Sequence, residues 1–233
     1  MLWLFAAEFA AMAASFVIVF VIVLVRRMAD AHATPGWLPA PLVYALPAAV
    51  ALQATLLFAD LRQGRRFGNG SLAAGLGAGP VRRRGLIALL LVAMIAWVAV
   101  YITVLIRFQE VARFIAREAP PAPVLVMTGG SALIVVRLLL IVVLAPIAEE
   151  LFFRGWLWTA LRRSWSAWAT ALCTGAIWVG LHALEGIVRV PILLPAAVLL
   201  SLARHYGGSV RASIPLHIAN NLTATMVQIM AAT

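Results

Sequence analysis

The chain has 233 residues, 64% of them apolar and only 11% charged, with a mean hydropathy of +1.03. Soluble domains are about 45–50% apolar and about 25% charged, so a soluble globular enzyme, a disordered tail and a disulfide-rich secreted module are all excluded. The formal charge is +10, from 18 basic and 8 acidic residues, and every basic residue is an arginine. Because these arginines lie mostly between long apolar runs, the expected partner is the lipid bilayer with its anionic headgroups, and not nucleic acid. The single cysteine, Cys173, cannot form an internal disulfide.

A bilayer core about 30 Å thick takes roughly 20 apolar residues per helix. Seven runs approach that length: 2–25, 37–59, 85–106, 124–148, 165–184, 187–203 and 212–232. The expectation is an all-α, polytopic transmembrane bundle of about seven spans in the inner (plasma) membrane.

The first run has no basic start and carries Glu8, which reads as an uncleaved span and not a signal peptide. Between the second and third runs lie Arg62, Arg65, Arg66, Arg82, Arg83 and Arg84. Residues 65–80, RRFGNGSLAAGLGAGP, lack the GK[ST] ending of a phosphate-binding loop, and their glycines predict a flexible linker. Residues 107–118 place Phe108, Val111, Phe114 and Ile115 opposite Arg and Glu, the pattern of a short helix lying in the membrane interface. Residues 1–123 are thus expected to form an N-terminal three-span region with a basic loop and an interfacial helix, leaving 124–233 as the membrane core.

In the fourth run, Thr128, Gly129 and Gly130 suggest a break, after which helical character continues from Ser131 to Leu161. That stretch would be roughly 46 Å long at about 1.5 Å per residue, so it must tilt, kink at Pro146 or protrude. Trp156, Trp158, Trp165 and Trp168 bracket Arg162 and Arg163 and read as an interfacial aromatic belt. The sixth run is the weakest, with Pro191 and Pro195 predicting a broken or tilted helix, and His205, next to Tyr206 and two glycines, reads as a loop residue. With a cytoplasmic N-terminus, ten arginines fall in cytoplasmic loops and six in the opposite ones, which favours that orientation.

Ionisable groups at membrane depth are costly and mark function. Three of the last four runs carry one polar cluster each, placing the expected active site between the C-terminal four spans. Glu150 and Arg154 are i and i+4 and can pair on one face. Glu149 is rotated by about 100°, which leaves it free for chemistry. Trp178 and His182 are again i and i+4, as are His217 and Asn221; Asn220 is adjacent but turned away. Arg137, in mid-run, needs a carbonyl, an acid or a water-filled cavity.

An acid, two imidazoles and an amide in an apolar bundle suggest hydrolysis. Glu149 is placed to be the general base, His182 to hold the attacking water or pass a proton to the leaving amine, and His217 and Asn221 to donate to a developing oxyanion. The same residue types leave other readings open. Glu149, His182 and His217 could bind zinc with one open position, although no HExxH pair is present. An inert immunity or binding protein and a transporter also remain, the last opposed by the lack of a mid-span carboxylate or an inverted repeat.

EELFFR fits an EExxxR motif, WVGLH an FxxxH motif with Trp178 in place of Phe, and HIANN an HxxxN motif. In this order on successive apolar runs, they resemble the CPBP family of CAAX-type prenyl-protein endopeptidases and bacteriocin-processing or immunity proteins. The resemblance covers roughly residues 124–232. It implies a glutamate-dependent intramembrane protease without metal or other cofactor. Glu149 and His182 would activate water, His217 and Asn221 would form the oxyanion pair, and Glu150 and Arg154 would take structural positions. The implied partner is a membrane-anchored protein or peptide. The arginine- and alanine-rich chain suggests a high-GC bacterium, and bacterial relatives include peptide-maturation proteases, immunity proteins and myxosortase-type sorting proteases.

Overall fold

The computed structural model describes residues 58, 61–66, 68–118, 131–183 and 186–232. The first apolar run, nearly all of the second, Glu8 and the Thr128–Gly130 break lie outside them. Regular structure among the described residues is helical. Beyond helical residues 61–66, it comprises α1 (Leu72–Gly75), α2 (Arg84–Arg107), α3 (Gln109–Glu118), α4 (131–161), α5 (Ala167–Ala183), α6 (Arg189–Gly207) and α7 (Val210–Ala232).

Two of these helices, α2 with 24 residues and α6 with 19, are long and apolar enough to cross a membrane; α5 is apolar but shorter. In α2 one stripe is buried, Ile87, Leu90, Met94 and Val98, while Leu89, Val92, Ile95 and Val100 stay exposed. A helix apolar on every side suits a lipid surround. Its buried stripe packs on Ala196, Leu200 and Ala203 of α6 and on Ala212 and Leu216 of α7. The small residues let the helix backbones approach closely.

A second core joins Phe152, Phe153, Trp156 and Leu157 of α4 to Trp178 and Val179 of α5, Ala197 of α6 and Leu76. The expected aromatic belt is therefore corrected in half. Trp165 and Trp168 are exposed, but Trp156 and Trp158 are buried, with the Arg204 guanidinium lying 5.4 Å from the Trp158 ring. Residues 152–158 of α4 are buried on every side, and this enclosure, not nearness to arginines in sequence, decides where the two rings lie.

The sixth run is a continuous helix rather than a broken one. Pro191 falls in the first turn of α6, where the missing N–H has no intrahelical acceptor anyway, and Pro195 removes a single interior bond. The helix extends to Gly207, which puts His205 in its last turn and not in a loop, its ring near Trp168 and Tyr206. Gly208 ends it at φ 66°, the left-handed conformation that glycine adopts without strain.

The glycine-rich stretch is not a flexible linker either. Ser71 caps α1 by accepting from the Ala74 N–H, and Leu76 enters the α4–α5 core. The Val210 N–H donates to the Gly77 carbonyl at 3.0 Å and the Arg82 N–H to the Gly207 carbonyl at 2.9 Å. The Ser209 hydroxyl donates to the Gly79 carbonyl at 2.6 Å. Glycine is what permits this strap. Gly77 sits at φ +57°, and a Cβ there would lie 2.3 Å from Arg204 Nη2.

Residues 109–118 form the expected short helix, with Phe108, Val111 and Phe114 exposed and Arg113 paired with Glu110 at 2.6 Å. The long helix α4 is helical throughout, including Pro146, but changes its winding. It is π-helical over Leu140–Leu144 and again over Leu151–Leu157.

Candidate active site

The i and i+4 spacing on α4 gives the ion pair that it predicts. Arg154 Nη1 lies 3.1 Å from Glu150 Oε1, and both side chains are wholly excluded from the surface. A buried pair needs further partners to offset its desolvation. Here His217 of α7 supplies one, its Nδ1–H donating to the same Glu150 oxygen at 3.0 Å. The Arg154 guanidinium also faces the Trp178 ring at 5.2 Å, a favourable cation–π arrangement. Arg204 Nε–H donates to the Arg154 carbonyl at 2.6 Å, tying α6 to the same turn of α4.

Glu149, one residue back, points elsewhere and keeps 19% of its side-chain surface exposed. Its Oε2 accepts the indole N–H of Trp178 at 2.7 Å and lies 3.9 Å from His217 Nε2. Trp178 also holds the second histidine. His182 Nδ1 lies 2.8 Å from the Trp178 carbonyl, and the rings are 4.6 Å apart. A carbonyl only accepts, so Nδ1 carries the proton and Nε2 of the neutral ring presents a lone pair. By the same reasoning the Glu150 carboxylate fixes the proton of His217 on Nδ1, directing Nε2 towards Glu149.

Asn221 is engaged by the winding of α4. The first π-helical segment ends with the Ala145 N–H reaching back five residues to the Leu140 carbonyl. The next residue is Pro146, which has no N–H, so the carbonyl five residues before it, that of Ile141, is left over. Asn221 Nδ2 donates to that carbonyl at 3.0 Å, leaving the second N–H of the amide available. Asn220 Nδ2 donates to Asn221 Oδ1 at 3.1 Å.

The structure therefore gathers Glu149, Glu150, Arg154, Trp178, His182 and His217 into one network, with Asn221 and Asn220 on the flank of α4. Among the described residues no group of three His, Cys, Asp or Glu side chains is placed to hold a metal ion. Glu149, His182 and His217, the set expected to suit zinc, do not form such a group. Arg137 is buried, with 1% of its surface exposed. Sequence reasoning missed the Trp178–Glu149 bond, whose one signal is a Trp where the motif has Phe. It also missed the Ile141 carbonyl, readable only from Pro146 together with a π-helical register.

Apolar helices here surround two carboxylates, two imidazoles and an arginine. Residues 131–223 match the family model described as type II CAAX prenyl endopeptidase Rce1-like, and this segment, which holds all three motifs, is a CPBP domain of that protease family. No curated protein and no solved structure matches the chain.

Proposed function

We propose that the chain is a multi-pass, intramembrane, glutamate-dependent endopeptidase of the inner membrane. On this reading α4, α5 and α7 span the bilayer together with α2 and α6, and the active site lies between the four C-terminal helices. The substrate is a membrane-anchored protein or peptide, cut near its C-terminus. Glu149 takes a proton from water as the oxygen attacks the scissile carbonyl. His182 Nε2 holds that water by accepting its second hydrogen, and the proton taken up by Glu149 passes to the amine as the C–N bond breaks. His217, when its ring carries both protons, donates from Nε2 to the oxyanion, joined by the free N–H of Asn221. Glu150 and Arg154 hold His217 in place.

The observation that carries this reading is the contrast between neighbours: Glu150 is fully enclosed and doubly paired, while Glu149 keeps accessible surface, 3.9 Å from His217 Nε2 and bonded to the Trp178 indole that also packs on His182. Glu149→Gln preserves size and removes the base. Comparative proteomics of wild-type and Glu149→Gln cells should show membrane-anchored proteins that keep an uncut terminus in the variant. If the same termini form in both, or a cellular phenotype of the gene survives the substitution, catalysis is not the function.

A further inference from the structure

Trp178 stands where the EExxxR–FxxxH–HxxxN pattern has a phenylalanine, and phenylalanine has nothing to donate. Here the indole N–H reaches Glu149 Oε2 at 2.7 Å, across 29 positions of sequence and from one helix to another. The ring is 1% exposed, so no water competes for its donor. Indole is a donor only, and its one donor is committed to this carboxylate. The same ring sits 4.6 Å from His182 and, edge-on at 86°, 5.4 Å from His217, with the Arg154 guanidinium 5.2 Å from it. Trp178 thus touches every ionisable member of the site except Glu150.

We infer that Trp178 is a positioning residue that sets which oxygen of Glu149 accepts the proton. The inference rests on the protease reading above. With Oε2 anchored to a rigid, close-packed ring and approached by His217 Nε2, the carboxylate plane is fixed and Oε1 is the oxygen presented to water. A glutamate side chain with three rotatable bonds would otherwise sample several rotamers, and misplacement of a reacting group by about 1 Å can lower a rate by about a hundredfold. In a chain with phenylalanine at this position that orientation must come from another source. The substitution to tryptophan is therefore a change of mechanism of support, not a conservative aromatic swap.

Two measurements test the inference. The first does not depend on activity. The indole ¹⁵N–¹H resonance of Trp178, identified as the peak missing from Trp178→Phe, should move upfield in Glu149→Ala as its acceptor is lost. An unmoved resonance means that the bond does not exist, and the inference is wrong. The second compares Trp178→Phe with replacement of Trp178 by β-(3-benzothienyl)alanine, which keeps the bicyclic shape and exchanges N–H for sulfur. Loss of a hydrogen bond to a charged group predicts a kcat lower by about tenfold to a hundredfold, with KM within about twofold. A purely packing role predicts native kcat for the benzothienyl protein, and that result overturns the inference even if Trp178→Phe fails to fold. If the unmodified protein cleaves nothing while the resonance shifts as expected, it is the protease reading that fails.

Discussion

Glu149 and Glu150 differ by one step of the chain and end in opposite environments, because a helix turns about 100° per residue. Glu150 is committed on one oxygen to both Arg154 and His217. Arg154→Met should consequently strand a charge in the bundle and lower stability by about 3–5 kcal/mol. Thermal unfolding in detergent measures this, and adding Glu150→Gln should recover part of the loss by removing the stranded charge. The contact of Trp178 with His182 and the ion pair of Glu150 with Arg154 were legible in the sequence, since both follow from i and i+4 spacing on one helix. The bond from Trp178 to Glu149 was not, because it depends on how α4 and α5 are rotated against each other, and no local pattern encodes that rotation.

At the level of elements, prolines show how far local rules reach. Pro191 and Pro195 predicted a break that α6 does not have, since first-turn placement and packing against α5, α7 and α2 outweigh one lost bond. Pro146 acts more specifically, through the π-helical register that leaves the Ile141 carbonyl to Asn221. Asn221→Leu should strand that carbonyl and cost about 1–3 kcal/mol. In a Pro146→Ala background the restored N–H can reach Ile141, so the same substitution should cost markedly less. A double-mutant cycle on unfolding midpoints reads the difference, and equal costs in both backgrounds would detach Asn221 from this role. No residue pattern announces a π-helical segment, so this part of the site became legible only in three dimensions.

For the molecule as a whole, the two ends of the bundle differ in charge. Arg82, Arg83, Arg84, Arg162, Arg163, Arg204 and Arg211 lie at the end formed by the strap, the 162–166 turn and the α6–α7 junction, against Arg107, Arg113, Arg117 and Arg189 at the other. Arginine excess marks the cytoplasmic side. The strap packs on that end, while half-buried His182 sits in the last turn of α5, near the opposite end. With Cys173→Ala as background, Ser164→Cys should react with an impermeant maleimide only in inverted vesicles, and Ile187→Cys only in intact spheroplasts. The reverse labelling would place the arginine-rich end outside and overturn this orientation. The division of the sequence into an N-terminal region and a motif-bearing core gave no hint that the two share hydrophobic cores, because the glycines of the strap read as slack instead of as close backbone approach.

That strap lies outside residues 131–223, yet Leu76 fills the gap between Phe153, Trp156 and Leu157, and the carbonyls of Gly77 and Gly79 serve the Val210 amide and the Ser209 hydroxyl. Chemistry and enclosure are thus written in separate stretches of the gene. A chimera that grafts this motif-bearing segment onto a relative's N-terminal half would inherit every reactive group and still leak at its base, unless residues 71–83 travelled with the graft.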